Sequence, residues 1–199
     1  MNGIIIINKP AGFTSQQVVS KVKKILNIKK AGHTGTLDPL ATGVLPILLG
    51  DCTKISKYLI EHDKKYIAKI KFGEKRDTGD LEGNVIEISN KKVEDEVAIE
   101  TILKNFIGKQ EQIPPKYSAI KINGKKLYEY ARRGEEIEIP KREIEIYELN
   151  LLNFDRENQI LEIEIFCSKG TYIRTLCEDI SQKLGTVRIY ALFTKNWSW

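Results

Sequence analysis

The stretch Ala31–Pro46, AGHTGTLDPLATGVLP, holds a single acid, Asp38, among Thr34, Thr36, Thr42, Gly32, Gly35, Gly43, Pro39, Pro46 and His33. Helix and strand interiors rarely tolerate so much glycine and proline, so the whole of 32–46 reads as a shaped loop. A carboxylate has a reference pKa of about 4 and is ionised at neutral pH unless buried without help. Backbone N–H groups of the loop, or an arginine from elsewhere in the chain, would hold it as an anion in a dry cleft. There it acts as nucleophile, general base or metal ligand, or it merely caps a turn before Pro39. The metal reading is the weakest of these, because no second acid or histidine stands at ligand spacing.

Working outward toward the N-terminus, Ile4–Ile7 reads as a short buried strand stopped by the turn residues NKPAG. Thr14 and Gln17 have capping-box spacing, and Val18, Val22, Ile25 and Leu26 then recur at helical intervals. The spacing predicts a helix from Thr14 to Asn27 with one buried stripe. Lys21, Lys23 and Lys24, followed by Lys29 and Lys30, make its other side basic.

On the C-terminal side, KKYIAKIKFG puts Tyr66, Ala68, Ile70 and Phe72 on one face of a strand and Lys65, Lys69 and Lys71 on the other. EKRDTGDLEG reads as an acidic loop, Val85–Ile88 as a strand, and Val93–Phe106 as a helix with Gly108 as its stop. IPPKYSAIKINGKKLYEYARRG gives a Pro-Pro entry, a short strand, an Asn-Gly turn and a short helix over Leu127–Arg132. Strands over Glu143–Leu149 and Ile160–Cys167 precede a helix with Ile173, Leu176, Cys177, Ile180 and Leu184 on one side, ending at Gly185. Arg174 lies at the start of that helix, where the dipole does not favour a cation, which suggests an acidic partner such as Asp38. The last stretch, VRIYALFTKNWSW, is apolar without a clear period.

The expected fold is α+β: a mixed, largely antiparallel sheet with flanking helices, since the elements lack a regular βαβα rhythm. With 199 residues the chain fits about one domain. Cys52, Cys167 and Cys177 match neither a disulfide framework nor a CxxC metal site and read as reduced, packed thiols. No secretory leader or membrane span is apparent, so the expected location is the cytoplasm. The formal charge of +5 is uneven, because residues 1–60 carry eight lysines against Asp38 and Asp51. A basic front half suggests a polyanion partner or a solubilising lysine surface. Neither GHTGTLDP nor GEKRDTGD carries the Gly-Lys-Ser/Thr of a nucleotide-binding loop.

The string GHTGTLDPLATGVLP resembles the signature of the TruB family of bacterial tRNA pseudouridine synthases. INKPAGFTS, KKYIAKIKFG, DTGDLEG, IPPKYSAIKINGKKLYEYARRGE and SKGTYIRTLCEDISQKLG agree with the same family in order, so the resemblance covers roughly Ile4–Gly185. It implies conversion of the uridine at position 55 in the tRNA T loop to pseudouridine, in a pseudouridine synthase core with a central RNA-binding cleft. By the same resemblance, Asp38 is the catalytic carboxylate, Arg174 the active-site arginine, Tyr66 the base-stacking tyrosine and His33 the signature histidine. Lys9 and Pro10 match the residues supporting the active-site floor, and Gly35 and Thr36 border Asp38 as substrate-binding positions. Tyr66 is also a candidate for late proton transfer at C5, although a phenol with an ordinary pKa of about 10 is a poor base. Lys21, Lys23, Lys24, Lys29 and Lys30 would contact phosphates of the T arm. The resemblance implies no metal, no organic cofactor, no membrane and no obligate protein partner, hence a monomer.

Two departures from the family pattern stand out. Arg76 replaces a common threonine before Asp77, and Asp77 and Asp80 are expected to have a structural or substrate-positioning role. After Gly185 the family continues through a Leu-Arg-Arg-Thr segment, which completes the core and gives the uracil pocket an apolar residue, and usually through an RNA-binding PUA domain. Here 186–199 is an atypical tail. The expectation is a catalytic domain over 1–185, incomplete at its C-terminal end, with no PUA domain and an open sheet edge. An inactive or weakly active RNA-binding remnant is the alternative to an enzyme.

Overall fold

The computed structural model describes residues 1–76 and 84–196. In chain order the elements are β1 (Gly3–Lys9), α1 (Ser15–Ile25), β2 (Ala31–His33), β3 (Thr42–Leu49), α2 (Ser56–Ile60), β4 (Lys64–Phe72), β5 (Glu74–Arg76) and β6 (Val85–Ile88). They continue as α3 (Glu96–Lys104), β7 (Gly108–Gln112), β8 (Lys121–Ile122), β9 (Lys125–Lys126), α4 (Leu127–Arg133), β10 (Arg142–Asp155), β11 (Ile160–Cys167), α5 (Ile173–Lys183) and β12 (Arg188–Asn196). The main sheet runs β1-β3-β12-β4-β11-β10-β7, with β2 against β3. Every pairing in it is antiparallel except the short parallel contact of β12 with β3, so the expected α+β architecture with a mixed, mainly antiparallel sheet is what forms.

Alternation explains which face is covered. Ala68, Ile70 and Phe72 of β4 and Leu161, Ile163, Ile165 and Cys167 of β11 are buried against the stripes of α3 (Ile99, Leu103) and α5 (Leu176, Cys177, Ile180). On the opposite face Lys65 meets Glu164 at 3.0 Å and Lys69 meets Glu162 at 3.3 Å, cross-strand pairs that leave that face wet. The cysteines are unpaired; burial pushes Cys167 up to about 11 and Cys177 up to about 12.

Three readings of the sequence are corrected. The loop expected over 32–46 is confined to Thr34–Ala41, because Ala31–His33 and Thr42–Leu49 are strands. Gly43 belongs inside β3 because it sits at φ 105°, where a Cβ would run into the backbone of Lys195. Gly108, expected to stop a helix, opens β7; the helix ends with Asn105 as its cap, and GKQEQ lacks apolar alternation because β7 is an edge strand. The segment read as an atypical tail supplies β12. This strand pairs with β4 from Arg188↔Phe72 to Asn196↔Lys65 and touches β3 at Thr194↔Thr42 and Lys195↔Gly43, closing the expected open edge. Asp77, Asp80, Trp197 and Trp199 lie outside the described residues. Among the described residues no helix is long and apolar enough to cross a membrane.

Candidate active site

The second edge of β3 is shared. β12 occupies it at Thr42–Gly43 and β2 at Ile47–Leu49, and the chain that connects β2 to β3 carries Asp38. The loop is clamped on both sides of the acid. Ser15, at the start of α1, accepts from Leu37 N–H through Oγ (2.9 Å) and donates to the Leu37 carbonyl (3.2 Å). On the other side the Pro39 carbonyl accepts from Gly12 N–H (2.9 Å) and from Lys9 Nζ (2.9 Å). The capping box of Thr14 and Gln17 fixes where α1 begins, and hence where Ser15 stands.

Lys9 is fully buried and donates to the carbonyls of Pro10 (2.9 Å), Phe13 (2.6 Å) and Pro39. Burial lowers its pKa, and the charge of Asp38 opposes that shift. An ammonium donates three hydrogen bonds, and all three are spent tying the N-terminal turn to the Asp38 loop.

Arg174, in the first turn of α5, closes the site. Its Nε lies 2.9 Å from Asp38 Oδ2 and its Nη2 donates to the Tyr117 carbonyl at 2.8 Å. The cation at a helix start thus answers an acid, as its position suggests. Asp38, Tyr66, Arg174 and Thr36 line one hollow of about 210 Å³ together with Lys64, Tyr172 and Phe193. Asp38 is the one carboxylate among the lining residues.

Burial pushes the Tyr66 phenol well above its ordinary pKa, with Cys167 and Asp38 acting in the same direction. A phenol so placed stays protonated at neutral pH. Lys64 is also shifted downward, mainly by burial, and its ammonium donates to the carbonyls of Ile60 (3.1 Å) and His62 (2.7 Å).

Not every expected residue meets the hollow. His33 ends β2 half-buried, its pKa lowered by burial and further by Lys195, while Gly35 backbone opposes the shift. Neither His33 nor Gly35 is among the lining residues, and Lys9 lies beneath the loop rather than in the hollow. Lys21, Lys24, Lys29 and Lys30 are exposed and Lys23 half-buried, with Lys21 Nζ 4.1 Å above the Phe13 ring.

Four site residues escape the reading of the sequence: Ser15, Lys64, Tyr172 and Phe193. Tyr172 sits inside the quoted Gly-Thr-Tyr-Ile-Arg string, and Lys64 shares the alternation of Tyr66 and Ala68, so both left a signal. Phe193 left none, because nothing in an aperiodic terminal segment says that it enters the middle of a sheet. No group of three His, Cys, Asp or Glu side chains suited to a metal occurs among the described residues.

Residues 23–173 match the family model described as TruB family pseudouridylate synthase (N terminal domain). The chain belongs to the TruB family. The tRNA pseudouridine synthase B of Hydrogenovibrio crunogenus is 50% identical over 187 residues, covering 94% of this chain and 61% of that protein. That of Oceanobacillus iheyensis is 48% identical over 199 residues, covering 98% of this chain and 65% of that protein. The chain therefore spans about three fifths of the length of the curated TruB relatives it matches. Among solved structures, the chain resembles one from a Cbf5-Nop10-Gar1 complex, at 30% identity and a TM-score of 0.74, over 98% of this chain and 48% of that one. A second, from an H/ACA RNP bound to a substrate RNA containing 2′-deoxyuridine, is 27% identical with a TM-score of 0.70, over 98% and 47% of the two chains.

Proposed function

We propose that this chain isomerises the uridine at position 55 in the T loop of tRNA to pseudouridine, with Asp38 as the catalytic carboxylate. The observation that carries the reading is the Asp38–Arg174 contact at 2.9 Å in a hollow shared with Tyr66, in a TruB-family chain. Uracil must leave ribose C1′ and rejoin through C5, and neither atom is accessible while the base stays in the RNA loop. Eversion into a pocket costs a few kcal/mol, which the pocket must return through contacts with the base.

The hollow is suited to that return. Tyr66 offers a ring face for stacking, and Phe193 supplies an apolar wall. The routes open to Asp38 are addition to C1′, addition to C6, and proton removal at C2′ followed by a glycal intermediate. Each begins from an ionised carboxylate, and the guanidinium of Arg174 both pairs with that charge and fixes its direction. The residues present supply this chemistry without a cofactor.

Phosphate contacts fall to the basic side of α1 and the turn after it. Because Ser15 ties the start of α1 to Leu37, Lys21, Lys24, Lys29 and Lys30 project from an element anchored to the Asp38 loop. They orient the T arm and give binding its salt dependence, while the folded shape of the arm supplies recognition. We further propose that tRNA alone suffices as partner, with the chain monomeric and acting in the cytoplasm.

The test is incubation of the purified chain with unmodified tRNA beside an Asp38→Asn control. Pseudouridine at the T-loop position in the first and none in the second is the expected result. Binding without product in both leaves an RNA-binding remnant and overturns the reading.

A further inference from the structure

The Arg174–Asp38 contact depends on where the first turn of α5 begins, and Tyr172, the residue that caps this helix, has no side-chain cap hydrogen bond of its own. The backbone of Tyr172 is held instead from β7. Tyr172 N–H donates to Gln112 Oε1 at 2.8 Å, and Gln112 Nε2 donates to the Tyr172 carbonyl at 3.1 Å. That same carbonyl accepts the first helical bond, from Leu176 N–H at 3.1 Å. One side-chain amide therefore imitates a strand partner for a single residue and sets the axial position of the helix start.

Gln112 itself has little freedom. It is 4% exposed, ends β7 and is in register with Arg142 of β10. Beyond it Pro114, buried, and Pro115 fix the backbone before the chain bends at Lys116–Ser118, where the Tyr117 carbonyl accepts from Arg174 Nη2 at 2.8 Å. The segment 112–117 thus grips the start of α5 twice, once by its backbone and once by the guanidinium. The two grips are joined through Pro114 and Pro115, whose fixed φ limits how that stretch can rearrange.

We infer that Gln112 is a positioning residue for the reaction: its amide bridge to the Tyr172 backbone places Arg174 against Asp38. The inference rests on the reading of Arg174 and Asp38 as the catalytic pair. Glutamine suits the task because it brings both a donor and an acceptor without charge. Glutamate keeps the acceptor and loses the donor. Methionine keeps much of the shape and loses both.

The test compares the full chain with Gln112→Met and Gln112→Glu, reading the hydrogen exchange of the Arg174 Nε–H by nitrogen-15 NMR and turnover of unmodified tRNA. Protection of the Ile70 and Ile163 amides reports whether the sheet is intact. In Gln112→Met the Arg174 Nε–H should exchange at least about tenfold faster while those amides stay protected, and kcat should fall about tenfold to a hundredfold with KM changed far less. Gln112→Glu sets a buried carboxylate oxygen against the Tyr172 carbonyl, so its Arg174 Nε–H should also exchange faster than in the wild type, and it serves alone if Gln112→Met does not fold. An Arg174 Nε–H as protected in either variant as in the wild type overturns the inference. Absence of pseudouridine from the wild-type chain overturns the proposed function instead, and the exchange comparison still decides the role of Gln112.

Discussion

Arg174 directs Nε at Asp38 Oδ2 across 2.9 Å while Nη2 of the same guanidinium holds the Tyr117 carbonyl at 2.8 Å. The planar fork makes the two contacts from separate nitrogens held in one rigid plane, a geometry that the single nitrogen of a lysine on its flexible stem does not reproduce. Arg174→Lys should therefore keep the fold and still lower kcat at least about tenfold, because aim is lost though charge is kept. Asp38→Asn should abolish pseudouridine formation, a loss of about a thousandfold or more, with the melting temperature nearly unchanged. Single-turnover assays beside thermal melts check both. A melting loss large enough to explain the lost turnover would remove the case for a chemical role.

How far the sequence discloses this site depends on the range of the interactions. The capping box at Thr14–Gln17 and the alternation of Tyr66, Ala68, Ile70 and Phe72 are local patterns, and the structure keeps them. The pairing of Arg174 with Asp38 is long-range, but a cation misplaced on a helix dipole left a trace of it. The β7 strand left none: an edge strand of sequence GKQEQ needs no apolar face, so no period marks it. Gly32 and Gly43 suggested a loop because composition does not distinguish glycine in a turn from glycine where two strands meet. For the chain after Gly185 no period in the sequence marks a strand, and only packing shows that Arg188–Asn196 enters the sheet between β3 and β4.

Lys9 offers a stability test independent of RNA. Its ammonium is fully buried and satisfies the carbonyls of Pro10, Phe13 and Pro39. Lys9→Met retains the aliphatic volume and leaves three acceptors without that donor, two of them in the N-terminal turn and one next to Asp38. The expected cost is about 2–4 kcal/mol in chemical denaturation. Because the Pro39 clamp is lost with it, activity should fall further than stability alone accounts for. A variant as stable as the wild type would mean that water replaces the ammonium.

Lys195 gives a pH dependence of definite sign. Burial first, and then the charge of Lys64, lower its pKa to about 8, against 10.5 ordinarily. Below about 8 the lysine is charged in both folded and unfolded chains, and folding bears the full cost of burying that charge. Between about 8 and 10.5 the unfolded chain binds more protons, so this residue makes stability rise with pH across that window. Lys195→Met should accordingly raise the melting temperature by a few degrees at pH 7, and the gain should vanish by about pH 10.5. Melts of the two proteins across this range check it, and a gain that does not change with pH would trace to packing rather than charge.

The phosphate-contact reading of α1 is tested by its salt dependence. Lys24 and Lys30 are exposed, on the helix and the turn that follow Ser15, and neither is among the residues lining the Asp38 hollow. Each lysine that neutralises a phosphate contributes about 0.7–0.9 to the slope of log affinity against log salt, so Lys24→Gln with Lys30→Gln should lower that slope by about 1.5. Affinity for tRNA should fall most at low salt, while kcat at saturating tRNA stays within about twofold, because neither residue lines the hollow. Titrations at several salt concentrations, paired with saturating-substrate rates, separate the effects. A large drop in kcat at unchanged affinity would place these lysines in the chemistry instead, and an unchanged slope would leave the basic face of α1 as solubilising charge.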